Sequence, residues 1–290
     1  MNTGRCLLFV GAHPDDESFG PGGTLAKYAL QGVKVYYVCG TRGEVGEATP
    51  EHLAGHASTG DMRWSELTCA AEALRLAGVI YLGYRDSGMP GSPNNSAANA
   101  LAAAPLDEVT ARVVKVIREL RPQVILTFDP IGGYRHPDHI AIHNATVNAF
   151  QAAGDPAQFP ESGPAFQPQK LYYEVFARGF LKLAVRILPL FGRDPRRFGQ
   201  NHDVDLVSLT DVEFPIHARI AIPAEAIQAK AAASACHRSQ LQGMPRDSGP
   251  MGLLMRFVQR EEAFMRAEPP VYDKRLRETD LFEGLERAKE

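Results

Sequence analysis

The sequence of 290 residues lacks the features of several specialised protein classes. No apolar run approaches the about 18 residues that a membrane-spanning helix needs. The apolar stretch near Met1 is also too short for the core of a signal peptide. Basic residues are not in excess, because 31 Lys and Arg face 34 Asp and Glu, for a net charge of −3. We therefore expect a cytoplasmic protein that does not bind nucleic acid.

Cysteine is scarce as well. The chain has four cysteines, and none of them forms a C-x-x-C pair of the kind found in zinc ribbons and thioredoxin-like redox sites. We expect these residues to be small, unbonded core side chains in a reducing compartment. They are Cys6, Cys39, Cys69 and Cys236.

Short apolar runs alternate with longer segments of helical periodicity along most of the chain. This alternation predicts an α/β fold with a doubly wound, Rossmann-like, mostly parallel sheet. In such sheets ligands bind outside the carboxyl ends of the strands. The predicted strands cover residues 6–12, 33–39, 79–82, 124–128, 170–176 and 218–223, and the main predicted helices cover 61–77, 106–121, 137–152 and 224–241.

We predict one domain, 1–290, in which 155–215 is an insert or lid and 267–290 is a surface tail. Within the insert, Phe180–Phe191 is apolar and is followed by several arginines. This pattern favours a lid or a subunit contact over a membrane surface, so a homo-oligomer is compatible with the sequence. The segment 90–104 is rich in Gly, Pro, Ser and Asn, which predicts an irregular and mobile surface loop.

Two polar clusters follow two of the predicted strands. The first, His13-Pro14-Asp15-Asp16-Glu17, places one imidazole and three carboxylates directly after the apolar strand 6–12. The second, Tyr134-Arg135-His136-Pro137-Asp138-His139, follows the strand 124–128. Because burying such charge without a counter-charge is costly, the two clusters together predict one metal site at the carboxyl edge of the sheet.

The residue types suit a catalytic zinc ion, which takes three protein ligands from His and Asp or Glu and leaves one position open. His13 and Asp16 are close enough in sequence to converge on one ion, and the second cluster supplies another histidine. Asp15 is then the natural base, and His136 a natural acid. Two alternatives stay open: the acidic residues are also typical of a simple helix cap, and His139 and His143 have the i, i+4 spacing of a helical zinc pair.

A nucleotide-binding protein is the main competing interpretation. Gly20-Pro21-Gly22-Gly23 follows the first strand, but it does not match G-x-G-x-x-G. Acidic residues also precede it where a pyrophosphate would bind, and like charges repel. A sugar-binding protein without catalysis is a second non-enzyme alternative, although binding alone requires neither Asp15 nor His136.

The paired motifs Ala12-His13-Pro14-Asp15-Asp16-Glu17 and His136-Pro137-Asp138-His139 resemble those of the PIG-L/LmbE family of zinc-dependent N-deacetylases. The resemblance covers about residues 5–150, with a weaker similarity at Lys230 and at 237–240. It implies hydrolysis of the acetyl amide of an N-acetylglucosaminyl group in a small-molecule amino sugar, with Zn²⁺, or Fe²⁺ in the cell, as the cofactor.

The resemblance also implies a role for each matching residue. The family's metal ligands fall on His13, Asp16 and His139. The general base falls on Asp15, and the histidine that assists the tetrahedral intermediate and the leaving amine falls on His136. Asp138 matches the carboxylate that supports the histidines.

Further motifs, 86–89 and 128–139, are similar to the mycothiol-pathway branch of this family. By that resemblance Arg63, Asp86 and Met89 contact the sugar or its aglycone, and Tyr134 is an oxyanion partner. The implied substrates are N-acetylglucosaminyl-inositol, the corresponding malate glycoside or a similar thiol-cofactor precursor. An amidase acting on mycothiol-type conjugates and a deacetylase of lipid-linked or oligosaccharide-linked N-acetylglucosamine are the enzymatic alternatives.

Overall fold

A computed structural model describes residues 4–175, 178–197, 204–241, 260–273 and 275–285. The described strands are β1 (Cys6–Gly11), β2 (Lys34–Cys39), β3 (Gly78–Tyr81), β4 (Val124–Thr127), β5 (Lys170–Glu174), β6 (Ala218–Ala221) and β7 (Glu261–Glu268). The described helices are α1 (Asp16–Phe19), α2 (Gly22–Leu30), α3 (Pro50–Leu53), α4 (Thr59–Ala73), α5 (Leu106–Leu120), α6 (Gly132–Arg135), α7 (Pro137–Ala152), α8 (Arg178–Ile187), α9 (Leu206–Leu209) and α10 (Ala224–Cys236).

The strands form one sheet of seven in the order β3-β2-β1-β4-β5-β7-β6. The first five strands of that order are parallel to one another, and β7 pairs antiparallel with both β5 and β6. The predicted doubly wound, mostly parallel α/β sheet is therefore confirmed. The strand order reverses between β1 and β4, and this is the point where such sheets form a ligand crevice.

The sheet separates two apolar layers. On β1, Leu7 and Phe9 face the layer formed with α2, α4 and α10, whereas Leu8 and Val10 face the layer formed with α5 and α7. Both faces of the strand are thus covered, which explains its continuous apolar sequence. The predicted bounds of α7 agree with the structure, because Pro137 stands at the first helical position, where it lacks only an unneeded N–H.

The antiparallel strand β7 was not predicted. It lies between β5 and β6, so the strand predicted at 218–223 is neither the last in the chain nor a neighbour of β5. The sequence Glu-Glu-Ala-Phe-Met-Arg-Ala-Glu of β7 contains one fully buried residue, Phe264, among partly exposed ones. Its apolar alternation is too weak to mark a strand.

Helix α4 also differs from the prediction at both ends. Its N-cap is Ser58, whose side chain accepts a hydrogen bond from the N–H of Asp61, and Asp61 lies inside the first turn. The helix ends at Ala73, and Arg75 then takes a left-handed conformation. The boundary therefore depends on a serine three residues before position 61, where the predicted helix begins.

Segment 90–104 is more organised than expected. It contains two 3₁₀ turns, Pro93–Ser96 and Leu101–Ala103, and the side chains of Ala100 and Leu101 are fully buried. The side-chain amide of Asn95 donates to the carbonyl oxygens of residues 87, 88 and 89. These bonds fix the loop that carries Met89.

The expectation that all four cysteines are unbonded is wrong for two of them. Cys69 of α4 and Cys236 at the end of α10 form a disulfide, with their Cα atoms 5.8 Å apart. Cys6 and Cys39 are buried free thiols, as predicted. The pairing joins residues separated by 167 positions, and only the packing of α10 against α4 brings them together.

The segments predicted as an insert and a tail both contribute to the core. Strand β5 lies within 155–215 and is a central strand, so any lid in this range begins after Glu174. In the C-terminal segment, Leu281 and Phe282 are buried in the apolar layer of α2. Glu278 is buried as well and accepts hydrogen bonds from Lys170 and Tyr172. The last five residues of the predicted tail, 286–290, lie outside the described residues.

The apolar segment 180–191 forms α8 and the 3₁₀ turn Leu188–Phe191. Leu190 and Phe191 are 81% and 63% exposed. Within the ranges that the structure describes, no helix combines the length and apolarity needed to cross a bilayer.

Replacing Phe282 by alanine tests whether the C-terminal segment belongs to the core. Because the ring is fully buried, Phe282→Ala is expected to lower the free energy of unfolding by about 3–5 kcal/mol in urea denaturation. Tyr272, which is 90% exposed, is the matched control, and Tyr272→Ala is expected to change stability by less than about 0.5 kcal/mol. Equal effects of the two substitutions would show that the segment only covers the surface.

Candidate active site

The loop after β1 is folded by the side chain of Asp16. One carboxylate oxygen of Asp16, Oδ2, accepts the backbone N–H of Ala12 at 2.8 Å and that of His13 at 2.7 Å. From the neighbouring strand, the hydroxyl of Tyr37 donates to the carbonyl oxygen of His13 at 2.6 Å. The other carboxylate oxygen, Oδ1, is left free to face the second polar cluster.

The loop after β4 is shaped by Asp129 and Gly132. The carboxylate of Asp129 accepts the N–H groups of Ile131 and Gly133, at 3.0 and 2.9 Å. Gly132 has a φ of +66°, and a Cβ there would lie 2.8 Å from Cβ of His139. Glycine is therefore required for the loop to pass this close to α7.

Helix α7 presents the second histidine. Its N-cap is His136, whose Nδ1 accepts the backbone N–H of Asp138 at 3.2 Å. One turn into the helix, the ring of His139 stacks on Phe128, with 3.8 Å between centroids and 6° between planes. The stacking fixes the direction in which Nε2 of His139 points. His143, in contrast, bonds the carbonyl oxygen of Phe128 at 2.8 Å and is a structural residue.

The two loops bring three ligand-type side chains together. Nδ1 of His13 lies 3.2 Å from Nε2 of His139, which in turn lies 3.4 Å from Oδ1 of Asp16. Nδ1 of His13 is also 3.9 Å from Oδ2 of Asp16. All three side chains are buried. They come from two loops that are more than 120 residues apart, as the paired motifs predicted.

Two carboxylates stand behind His13. Its Nε2 lies 3.1 Å from Oδ2 of Asp138 and 3.6 Å from Oδ1 of Asp86. A carboxylate only accepts, so in the neutral ring the single proton is on Nε2 and the lone pair of Nδ1 faces His139. Burial alone would lower the pKa of His13, but the two carboxylates raise it well above its usual range. The site therefore favours positive charge at this point.

The pKa of Asp16 is shifted in the opposite direction. Burial alone would raise the pKa of its carboxyl, but the nearby imidazoles of His139 and His13, with the hydrogen bond from the His13 backbone, hold it below its usual range. Asp16 is therefore an ionised ligand-type group.

Asp15 differs from Asp16 in conformation and surroundings. Its φ is +121°, which is strained for a residue other than glycine. Its carboxylate lies 3.0 Å from a guanidinium nitrogen of Arg63 and is 18% exposed. Burial raises the pKa of Asp15 to about 6, and Arg63 acts in the opposite direction. A carboxylate of this kind, beside the cluster of His13, Asp16 and His139, is suited to proton transfer.

His136 and Tyr134 line the same side of the site. The ring centroid of His136 is 4.5 Å from that of His13 and 5.0 Å from that of His139. Burial and the two neighbouring imidazoles lower the pKa of His136 well below its usual range. Tyr134 stands edge-on to His139, with 5.0 Å between centroids.

His136 is also a candidate metal ligand on distance alone. The ligand atoms of His13, His136 and His139 lie within 4.8 Å of one another, as do those of His13, Asp86, His136 and Asp138. The distances thus allow either Asp16 or His136 as the third ligand beside His13 and His139.

The three residues expected to contact the substrate are placed differently from one another. Arg63 is buried, and its guanidinium donates to the carbonyl oxygens of Gly43 and Pro14 as well as to Asp15. Both oxygens of Asp86 accept backbone N–H groups, from Gly88 and Val45. Met89 is half-buried on the adjoining loop.

Sequence reasoning assigned no role to Ser87 or His237, and it interpreted Glu17 only as a supporting or structural carboxylate. Ser87 donates its hydroxyl and its backbone N–H to Asp138, and so fixes the carboxylate behind His13. Glu17 and His237 form a fully buried pair below Asp15, with 2.7 Å between Oε1 and Nε2. The similarity at 237–240 was the only sequence signal for His237, and it carried no role.

Solved structures of low identity share this fold. One is N,N'-diacetylchitobiose deacetylase from Pyrococcus horikoshii, at a TM-score of 0.60 and 20% identity, covering 90% of this chain and 83% of that one. Another is a conserved protein from Thermus thermophilus, at a TM-score of 0.57 and 24% identity, covering 92% of this chain and 96% of that one.

Relatives of higher identity share most of the chain. A protein of Streptomyces avermitilis named 1D-myo-inositol 2-acetamido-2-deoxy-alpha-D-glucopyranoside deacetylase is 39% identical, over 97% of both chains. A protein of the same name from Geodermatophilus obscurus is 42% identical, over 71% of this chain and 72% of its own.

The model of the PIG-L family, described as GlcNAc-PI de-N-acetylase, matches residues 8–150, the part that contains both histidine loops. Together with the near full-length similarity to the Streptomyces protein, this match shows that the chain belongs to the PIG-L family of N-deacetylases, as the paired motifs predicted.

Proposed function

We propose that this protein is a zinc-dependent hydrolase that removes the acetyl group from N-acetylglucosaminyl-inositol. The main observation is the convergence of His13, Asp16 and His139, with Asp15 beside them. The substrate is inferred from the relatives, whose names specify the deacetylation of this inositol glycoside and one of which aligns over 97% of the chain.

A zinc ion fits the three side chains. Ligands about 2.1 Å from a tetrahedral zinc ion lie about 3.4 Å from one another. The distances of 3.2 and 3.4 Å from Nε2 of His139 to Nδ1 of His13 and to Oδ1 of Asp16 are close to this value. Bound there, Zn²⁺ would polarise the amide carbonyl and lower the pKa of a water molecule; Fe²⁺ is the alternative ion.

Asp15 is the proposed general base. It takes a proton from the attacking water as the oxygen forms its bond to the acetyl carbon. When the C–N bond breaks, the same proton is available for the leaving amine, so the products are acetate and the free amino sugar. Arg63 keeps the carboxylate in place, because it binds both Asp15 and the carbonyl oxygen of the preceding residue.

His136 is proposed to donate a hydrogen bond and not to act as the acid. Its Nδ1 accepts the N–H of Asp138, so the ring proton is on Nε2. A second proton on Nδ1 would break this helix cap. The Nε2–H group therefore serves as a neutral donor to the developing oxyanion, with the hydroxyl of Tyr134 as its partner.

Asp86 and Met89 are proposed to bound the sugar side of the site, and Arg63 to contact the sugar through the end that also holds Asp15. Asp138 orients His13 through Nε2. We propose a small-molecule amino sugar as the binding partner. The cytoplasmic location and a homo-oligomer stay predictions from the sequence.

An amine-release assay on a substrate panel tests the reaction. The panel contains N-acetylglucosamine, its inositol and malate glycosides, an acetylated chito-oligosaccharide and a mycothiol-type amide conjugate. We expect the highest kcat/KM on the inositol glycoside. A higher value on another member would identify that compound class instead, and no release from any member would contradict the proposed activity.

Metal content distinguishes the two ligand sets that the distances allow. Asp16→Ala is expected to lose zinc on dialysis, whereas His136→Ala is expected to keep zinc and to lose turnover, because of these two residues only Asp16 is proposed as a ligand. Elemental analysis provides the measurement. Chelator treatment of the wild type is expected to abolish activity, and added Zn²⁺ to restore it. The proposed ligand set would be rejected if His136→Ala lost zinc and Asp16→Ala kept it. Full activity of the wild type after chelation would reject the role of the metal.

The role of Asp15 predicts a separation of metal binding from turnover. Asp15→Asn has nearly the same shape but cannot take the proton, so kcat is expected to fall by about 10²–10⁴-fold with zinc content unchanged. The control is Asp107→Asn, on the exposed surface of α5, which is expected to keep wild-type kcat. Turnover by Asp15→Asn close to that of the wild type would remove Asp15 from the mechanism.

A further inference from the structure

We propose that the buried pair Glu17–His237 is a positioning device that holds the backbone of Asp15 in its active conformation. The inference rests on the proposed role of Asp15 as the base. It assigns a function to a carboxylate of the first motif that does not belong to the proposed metal ligands, and to a histidine more than 200 residues away.

Glu17 contacts Asp15 through the backbone. Oε2 of Glu17 accepts the N–H of Asp15 at 2.9 Å. The carbonyl oxygen of Asp15 is held as well, by the N–H groups of Ser18 and Phe19, both at 2.9 Å. A φ of +121° is strained for a residue other than glycine and persists only where the surroundings enforce it. The bond to Glu17 fixes the N–H side of this strained residue.

His237 in turn fixes Glu17. Its Nε2 lies 2.7 Å from Oε1 of Glu17, and both side chains are 0% exposed. The hydroxyl of Ser18 donates to the same oxygen. With these partners the carboxylate of Glu17 has little freedom to rotate away from Asp15.

The position of His237 is set by α4 and α10. His237 directly follows Cys236, which ends α10 and is bonded to Cys69 of α4. Two residues later, the N–H and the hydroxyl of Ser239 donate to Glu66 of α4, at 2.8 and 2.7 Å. The turn that carries His237 is therefore attached to α4 on both sides.

The same helix α4 holds Asp15 from the other direction. Arg63 of α4 donates to the carbonyl oxygen of Pro14 at 2.6 Å and to the carboxylate of Asp15 at 3.0 Å. The side chain of Asp15 and its backbone N–H are thus both positioned relative to α4, one through Arg63 and the other through His237 and Glu17.

Stability alone does not account for the pair. A fully buried ion pair is rarely more stabilising than apolar residues of the same volume, because desolvation offsets the attraction between the charges. A carboxylate is, however, the side chain that accepts a backbone N–H and an imidazole at the same time. This combination is what the geometry around Asp15 requires.

A matched set of variants tests the proposal. His237→Gln keeps an N–H donor toward Glu17, whereas His237→Leu removes it. The control is Glu278→Gln, a buried carboxylate that binds Lys170 at the amino end of β5, on the opposite edge of the sheet. His237→Asn, whose amide is shorter, replaces the leucine variant if that variant fails to fold.

The readouts are the hydrogen exchange of the Asp15 amide, zinc content, and kcat and KM on the N-acetylglucosaminyl-inositol substrate. In His237→Leu we expect exchange to accelerate at least about tenfold. In the same variant kcat should fall by about 10- to 100-fold, with KM and zinc content unchanged. In His237→Gln both the slow exchange of the Asp15 amide and most of the wild-type kcat should be retained. Glu278→Gln should lower the melting temperature and leave kcat and the exchange of Asp15 unchanged.

The proposal would be overturned if the Asp15 amide of His237→Leu exchanged hydrogen as slowly as that of the wild type. It would also be overturned if His237→Leu lost no more kcat than Glu278→Gln. A failure of the proposed function is visible separately, because the wild type would then release no amine from the inositol glycoside. The exchange measurement does not depend on the substrate and would still decide whether His237 positions Asp15.

Discussion

The structure depends most on the excess of buried carboxylate at the carboxyl ends of β1, β3 and β4. Asp16, Asp86 and Asp138 are buried around the single ring of His13. Burying carboxylates without counter-charge is very costly, and the backbone N–H groups around them offset only part of this cost. The cluster therefore favours a cation. The lone pair of Nδ1 of His13 faces the point that Asp16 and His139 also approach, which gives that cation one preferred position.

The position of the two polar motifs after β1 and β4 was predictable from the sequence. The carboxyl ends of β1 and β4 are neighbours in any sheet that reverses its order between them, so two short polar motifs were enough to locate the site. The predicted bounds of helix α7, about 137–152, agree with the structure, in which Pro137 stands in the first turn. Motif spacing, however, does not decide whether Asp16 or His136 is the third ligand, since that depends on side-chain direction.

The remaining features depend on contacts between distant segments, which local patterns do not encode. Strand β7 has a weak alternation, and its place between β5 and β6 follows from antiparallel pairing with both. The family resemblance implied a sugar contact for Arg63. The structure shows that Arg63 is buried, because three oxygens from two loops surround its guanidinium. The Cys69–Cys236 bond likewise depends on the packing of α4 against α10.

The N-terminal and C-terminal parts of the chain contribute different groups to the site. The family match ends at residue 150, after the last proposed ligand, yet the similarity to the Streptomyces relative extends over 97% of the chain. If the final third of the chain served only to cover the sheet, it would not need to place a polar group beneath the site. Here His237 reaches Glu17, and Glu17 reaches the strained backbone of Asp15. The strained backbone of Asp15 is therefore bonded to Glu17, and Glu17 is bonded in turn to a residue more than 200 positions away from the motif that contains them both.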